Sequence, residues 1–583
     1  MVIFGKYPKA EKALNEICEK HDSFYAANGL IAEKFGVSNF FENEAEYRVF
    51  NETLKGRAEK NEPVSRNKDE YGDYQTNLKL SEGVCGLLSQ KKEEKPDLIL
   101  EPTCGEGNFI IAALKHFAGV NKIIGFEVYK PYLWEAKLKV MDFCIKNNRF
   151  YQMPEVRLLH GNFFKQNMKS LLSEVEKHIL ILGNPPWVTS SELSKVNSAN
   201  LPLKSNLKKD QGLEALTGKS NFDISESMVL SLLESFHKNQ GSVALLLKNS
   251  VIKKVLELQK DREYQISNLE KHNIDTLKEF SASAGSSFFY LNLGKKASFT
   301  CQEFNFYTGE KIKEFGWKNG NFAHSLEEYE TTYLLDGKSP FEWRQGIKHD
   351  CSSVMEVEKV GELIKNKRNQ SAEIEEDLLH GLLKGSDLKG GEIKQSRKYV
   401  IVTQKKPGQD THYLKFHHPK TYHYLWENKH LFEQRKSKVY KNKPAFSIFG
   451  IGPYSFLPYK VAIPALYKTT NFTLVSTPDG EKPFMLDDTC YFIGFEKYED
   501  AKVAHALLNS DLVQAFLKSV VFSDAKRTIT KELLMRINLL KAYESIDPEI
   551  FLYNHPSIQI NHWKNFGELI SNKTGNTQLK IFH

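Results

Sequence analysis

The stretch Leu98 to Ile110, LILEPTCGEGNFI, begins as an apolar run, ends that run on an acid, and turns through two glycines into a helical pattern, FIIAALKHFA. A short continuous apolar run of this kind fits a strand buried on both faces, as in parallel sheets covered by helices. Gly105 and Gly107 allow the backbone unusual dihedrals and a close approach to a ligand. A dinucleotide fingerprint would place a third glycine at position 110, where Ile110 stands, which speaks against a nicotinamide or flavin cofactor. Glu101 at the strand tip would repel a pyrophosphate, yet it can accept hydrogen bonds from a cationic, amine-bearing ligand. The next strand, Lys122 to Val128, ends at Glu127, whose two oxygens suit the two hydroxyls of a ribose.

Working outward, DLILEP, KIIGFEV, VRLLHGN, HILILGNPP, GSVALLLKN and SFFYLNLG read as strands between Asp97 and about Lys296, with amphipathic stretches between several of them. That alternation predicts an α/β domain with a mainly parallel sheet. Residues 1–65 read as a helical arm, residues 66–300 as the α/β domain, and residues 301–583, with short strands and many aromatics, as a second domain of mixed α+β class.

A second stretch within the α/β region carries the chemistry. Ile179 to Trp187, ILILGNPPW, is a buried-looking strand that leaves the sheet through Asn184-Pro185-Pro186-Trp187. Two prolines cannot extend the ladder, so the exit is rigid and lies at the carboxyl edge, where open α/β sheets bind ligands. The Asn184 amide oxygen and the Pro185 carbonyl can accept from one amino group, while Trp187 offers a face to a planar conjugated ring. An aromatic amine is a weak nucleophile because its lone pair is delocalised. Two fixed acceptors favour a more tetrahedral nitrogen and disperse the positive charge that grows on it during alkylation.

Composition narrows the partners. With 583 residues, 40% hydrophobic and 26% charged, the chain can bury several cores and is neither disordered nor fibrous. Seven Cys without a CxxC pair support neither a zinc ribbon nor a disulfide framework, so no metal is expected and a reducing cytoplasm is. No apolar run approaches the roughly 18 residues of a membrane span, and the first residues lack the apolar core of a signal peptide. Between Ile401 and Gly450, nine Lys and one Arg stand against three acids, a net +7 equal to the excess of the whole chain. Tyr413, Phe416, Tyr422, Tyr424, Trp426, Phe432 and Tyr440 interleave them. Cations mixed with stackable rings suit a polyanion with bases; a solvated helix face explains the same window, since Tyr422 to Ser437 has helical apolar spacing.

Taken in order, these elements resemble the adenine-N6 DNA methyltransferases of the gamma group, found in type II restriction–modification systems, over most of the chain. Gly72 to Asn77 (GDYQTN), with Tyr74 and Thr76, is similar to the cofactor segment that precedes the first strand; Glu101 to Phe109, with Thr103, Cys104, Gly105 and Gly107, to the methionine-binding motif; Glu127-Val128 to the ribose site; Gly161-Asn162-Phe163 to the position near the cofactor's adenine; and Asn184 to Trp187 to the catalytic tetrapeptide. Gly218 to Asp223 and Gly241 to Asn249 are similar to later family motifs, and Phe280 stands where the family sets a second aromatic against the base. Arg344 to Ile347, Leu382 to Asp387, His418 to Tyr422, Leu431 to Arg435 and Leu507 to Ser510 look like pieces of the target-recognition domains of that group. Asn162, Asn77 and Trp187 depart from the commoner Asp, Pro and Tyr or Phe.

The resemblance implies a Rossmann-like class I methyltransferase domain with a seven-stranded, mostly parallel sheet, followed by the recognition domain. It implies S-adenosylmethionine as cofactor, with Asn184 touching it as well as the base. It also implies a flipped adenine of double-stranded DNA shared between Trp187 and Phe280, and DNA contacts from Arg344, Lys420, Arg435, Lys436, Lys438 and Arg527. A companion endonuclease would be a separate chain, and the enzyme is expected to act as a monomer. Two further substrates share the Asn-Pro-Pro-aromatic chemistry, RNA adenine and protein glutamine, and an inactive DNA-binding module is a reading of a different class.

Overall fold

The computed structural model describes residues 5–54, 74–91, 95–174, 177–188, 223–282, 285–361, 363–466, 469–522 and 528–575, and the chain divides into two compact units, Met1–Phe322 and Ala323–His583. Among the described residues no helix is long and apolar enough to cross a membrane.

The first unit is built on an eleven-stranded sheet. Its parallel part runs Val37–Ser38, Glu155–His160, Lys122–Glu127, Leu98–Glu101, Ile179–Gly183 and Gly241–Lys248 in spatial order. Ser286–Leu293 follows antiparallel to Gly241–Lys248, then Ile266–Asn273, Thr300–Asn305, Lys311–Lys318 and Asn321–Ala323. The expected sheet had seven strands. The seven from Glu155–His160 to Ile266–Asn273 are flanked by one added strand on one side and three on the other.

Leu98–Glu101 and Ile179–Gly183 are buried at every position, which explains their unbroken apolar sequence. Helices Leu78–Ser89, Asn108–His116, Lys130–Lys146, Ile224–Phe236 and Asn249–Arg262 cover the sheet. Asn108–His116 buries all of Phe109 to Leu114, consistent with a central helix apolar on nearly every side.

Two expectations of domain extent differ from the structure. The residues expected as an arm form helices Pro8–Lys20, Phe24–Phe35 and Glu44–Leu54, which join the core of the sheet unit through Leu14, Ile31, Phe35 and the Phe40, Phe41 and Phe50 rings around Trp134. Lys137 binds them from within, donating to the carbonyls of Asn39 and Phe40 at 3.1 and 2.8 Å, and burial pulls its ammonium down to about 8. The second boundary falls after Phe322 rather than at 300, because Thr300–Asn305 and Lys311–Lys318 extend the sheet.

The second unit holds two five-stranded sheets and a helical group, a mixed α+β architecture. One sheet orders Arg344–Gln345, Cys490–Phe495, Tyr459–Pro464, Thr473–Ser476 and Gly391–Ile393; the other Leu363–Asn366, Glu356–Val360, Lys398–Ile401, Leu379–Leu383 and Met485–Leu486. Tyr498–Leu508, Asp511–Val520 and Ile560–Thr574 contribute to one apolar core, and the second sheet heads another.

Candidate active site

In the sheet unit, strand order reverses around Leu98–Glu101: the chain moves outward one way to Lys122–Glu127 and Glu155–His160, then the other way to Ile179–Gly183 and Gly241–Lys248. Open α/β sheets bind ligands at such a reversal, beyond the carboxyl ends of the strands. A cleft lies there. Its wall includes Tyr74, Thr76, Glu101, Thr103, Cys104, Gly105, Glu127, Val128, Asn162, Phe163, Asn184, Pro185 and Pro186, so residues spread over more than a hundred positions of sequence meet in one place. Gly107, expected among them, instead starts the helix behind the turn at φ 78°, where a Cβ would stand 2.9 Å from that of Ala136.

Hydrogen bonding fixes the direction of the key amide. Asn184 Nδ2 donates to the Tyr74 carbonyl at 2.9 Å and to Thr76 Oγ1 at 3.2 Å. A carbonyl only accepts, so the amide nitrogen must point at Tyr74. The Asn184 oxygen is consequently buried without a partner. Thr103 Oγ1 donates to the Asn184 carbonyl at 3.1 Å and ties the tetrapeptide to the glycine turn. After it, Lys248 Nζ donates to the Trp187 carbonyl at 3.1 Å and pairs with Asp223 at 2.6 Å.

Glu101 is fully buried, and its Oε2 also lacks a partner. Burial, and then the neighbouring Glu127, push its carboxyl well above the usual carboxylate range. Glu127 accepts from the backbone N–H of Gly105 at 2.9 Å and of Tyr129 at 2.7 Å, so its carboxylate is held by the turn it faces. Burial, reinforced by both glutamates, keeps the Cys104 thiol protonated, which fits a packing role and not a nucleophile. Two residues of the cleft wall, Glu101 and Asn184, each carry a buried oxygen without a partner, Oε2 and Oδ1, and buried polar groups are normally satisfied. The acceptor set therefore fits a ligand rich in N–H groups.

Trp187 and Phe280, both buried, meet edge-on with ring centroids 4.8 Å apart. Tyr74 lies 5.3 Å from Trp187 and 6.5 Å from Phe280, and is partly exposed. Asn162 lines the cleft, and its amide oxygen accepts from Phe164 N at 2.9 Å, as the cap of the short turn Phe163–Lys165. Gly72 and Asp73, and all of Gly218 to Asp223 except Asp223, lie outside the described residues.

Several lining residues escaped the sequence reading, Phe126, Phe164, Val188, Ile224 and Met228, whereas Gln75 and Asn108 fall inside its two cofactor motifs without being singled out. Asn108 has a detectable signal in retrospect, as the polar residue that follows the last glycine of the turn. Its Nδ2 donates to the Thr76 carbonyl at 2.8 Å, and Lys139 donates to its oxygen at 2.9 Å. Ile224 and Met228 carry no signal beyond an ordinary amphipathic helix.

No protein-family model matches the chain. The type II methyltransferase M.NspV of Nostoc sp. is 40% identical over 478 residues, which span 82% of this chain and 98% of that protein. The chain belongs to the type II methyltransferases. These are the DNA-modifying enzymes of restriction–modification systems, and the cofactor is S-adenosylmethionine. Solved structures are more distant. The type IIG restriction endonuclease BpuSI is 12% identical, with 92% of this chain and 68% of that one covered at a TM-score of 0.32. A class I S-adenosylmethionine-dependent methyltransferase from Listeria monocytogenes is 14% identical, with 51% and 93% covered at 0.29. At such scores neither likeness carries a conclusion.

In the second unit of this methyltransferase, the cations expected to meet DNA have different surroundings. Arg435 is turned inward: its guanidinium donates to the carbonyls of Phe432, His349, Ser447 and Ala445 and lies 3.7 Å over the Tyr440 ring. It is a structural clamp, and the expected DNA contact is corrected. Arg344 pairs with Glu342 and lies over Tyr454. Lys420 is exposed beside Glu373, and Lys436 is exposed. The side chain of Lys438 and all of Arg527 lie outside the described residues. The aromatic window divides in the same way: Tyr424, Phe432 and Tyr440 are buried, whereas Phe416 and Trp426 are exposed, with Lys429 at 4.5 Å from the Trp426 ring.

Proposed function

We propose that this methyltransferase modifies the exocyclic N6 amine of adenine at a specific site in duplex DNA, as the modification component of a restriction–modification system, in the gamma arrangement. The observation that carries this reading is the orientation of Asn184. Its amide nitrogen is occupied by Tyr74 and Thr76, leaving one buried, unpartnered oxygen at the head of a rigid Pro-Pro exit. That atom suits an N–H donor that must lose planarity.

S-adenosylmethionine supplies an electrophilic methyl on a sulfonium when bound. Glu101 would accept from its amine and Glu127 from its ribose hydroxyls, while Gly105 keeps the turn close enough for both. The Asn162 and Phe163 turn, with Val128, Ile224 and Met228, lines the side suited to its adenine. An adenine inside a duplex cannot reach this cleft, so it must be turned out of the helix. Trp187 would then stack on the extruded base with Phe280 against its edge. Asn184 Oδ1 and the Pro185 carbonyl would accept from its amino group, steering the nitrogen lone pair toward the methyl and dispersing the charge that forms. Transfer is direct and needs no protein nucleophile, in keeping with the protonated Cys104.

The second unit would serve target recognition, with Lys420 and Lys436 as phosphate partners and exposed Phe416 and Trp426 as contact rings; Arg344, Lys438 and Arg527 remain in the proposed set. A monomeric enzyme of the cytoplasm, separate from any endonuclease, completes the reading. Incubation with methyl-labelled S-adenosylmethionine and unmodified duplex DNA, followed by digestion to nucleosides, tests it. Label in N6-methyldeoxyadenosine supports it; label in a cytosine derivative, or acceptance only by RNA or protein, overturns it.

A further inference from the structure

Phe280 ends a one-turn helix, Thr276–Phe280, that is braced out of proportion to its length. Asp275 caps it by accepting from Lys278 N at 3.1 Å, and the Asp275 N–H in turn donates to the Tyr307 hydroxyl at 3.1 Å. That hydroxyl donates to Glu279 Oε1 at 3.1 Å, and Asn77 Nδ2 donates to Glu279 Oε2 at 2.9 Å, which joins the helix to the segment carrying Tyr74 and Thr76. Thr276 Oγ1 accepts from Ser286 N at 3.0 Å, closing the base of the loop. On this mount Leu277 is 70% exposed, with exposed Lys278 beside it and Tyr307 half exposed. A lone exposed leucine is common. This one stands on a braced turn three residues before Phe280, next to a cation able to meet a phosphate.

We propose that Leu277 is the wedge that enters the DNA stack and fills the space left when the target base is turned out toward Trp187 and Phe280. The inference rests on the reading of duplex DNA as substrate. Proteins that distort duplexes insert apolar side chains of this type between base steps, and doing so offsets the lost stacking of the displaced base. The braced turn matters because a loosely held backbone would lose more freedom when its side chain enters the stack.

The test uses the full-length protein and a duplex oligonucleotide carrying the sequence that the wild type modifies. Leu277→Ala should lower methylation of the fully paired duplex by about tenfold or more, since opening a pair costs a few kcal/mol. The same variant should lie within about threefold of wild type when the nucleotide opposite the target is abasic, because little is then left to push apart. Leu277→Met should retain most activity on both. Equal loss on the two substrates, or no loss on the paired one, overturns the wedge while leaving the DNA reading intact. Failure of the wild type to methylate any DNA overturns both.

Discussion

Asn184 donates its side-chain amide to the main-chain carbonyl of Tyr74 at 2.9 Å, across 110 positions of sequence. This single bond decides which end of the amide faces the cleft, because a carbonyl cannot donate. It turns a residue type that could present either a donor or an acceptor into a fixed acceptor.

Asn184→Ala should remove methyl transfer while leaving DNA and cofactor binding within a few-fold. Loss of one preorganised group at a developing charge costs about 10²–10³ in turnover, and here it is the principal acceptor. Single-turnover transfer measured beside equilibrium binding separates the two effects. Wild-type turnover would remove Asn184 from the chemistry.

Thr76→Val keeps the Tyr74 bond but deletes the second acceptor for Asn184 Nδ2 at 3.2 Å. One lost hydrogen bond of about 1 kcal/mol predicts a drop in turnover of roughly five- to tenfold, with rescue by Thr76→Ser. A defect confined to the KM for S-adenosylmethionine would mean that Thr76 serves the cofactor and not Asn184.

Much of this centre is legible in the sequence, because a glycine turn after a buried strand and a Pro-Pro exit from another admit few conformations. Other parts are not. Ile266–Asn273, ISNLEKHN, reads as polar, yet its Lys271 and His272 are buried, with Lys271 paired to Glu303 at 3.0 Å and His272 to Glu270 at 2.8 Å. Its place between two other strands overrides its propensity. The inward turn of Arg435 is hidden in the sequence for a related reason: a basic run looks the same whether a guanidinium faces water or four carbonyls. The helices before residue 54 show helical spacing in the sequence, but nothing in that spacing tells that Trp134 is their anchor.

Glu101 links stability to pH. Burial first and Glu127 second raise its folded-state value above that of an unfolded glutamate. Its contribution is therefore fully present below the unfolded value and is lost as pH rises through the raised folded one. The ligand-free protein should melt at lower temperature as pH rises out of the acidic range, and Glu101→Gln should flatten that slope while weakening S-adenosylmethionine binding at least tenfold. Thermal melting at several pH values, with calorimetric titration, checks both. An unchanged slope in the variant would show that Glu101 is not the group responsible.

Gly107→Ala forces a side chain onto a residue at φ 78° and into Ala136, whose Cβ would lie at 2.9 Å. The left-handed conformation alone costs about 1–2 kcal/mol, and the helix that follows cannot retreat from the packed core. A lower unfolding midpoint together with weaker cofactor binding is expected, measured by denaturant titration with and without S-adenosylmethionine. A variant with both properties unchanged would contradict the close packing of this turn.

Phe280→Ala should weaken capture of the extruded base, since an edge-to-face aromatic contact contributes about 0.5–1.5 kcal/mol. Fluorescence of 2-aminopurine at the target position reports extrusion directly. Unchanged fluorescence and unchanged turnover on duplex DNA would take Phe280 out of the pocket.

The central claim is transfer to adenine N6 at one DNA site, and its most direct measurement is genome sequencing that detects modified bases, after expression in a host lacking DNA methylation. One short motif, modified at N6 of the same adenine at nearly every occurrence, is the predicted result. Modified cytosine, or a genome with no modified base while the expressed protein still binds S-adenosylmethionine, would contradict the account.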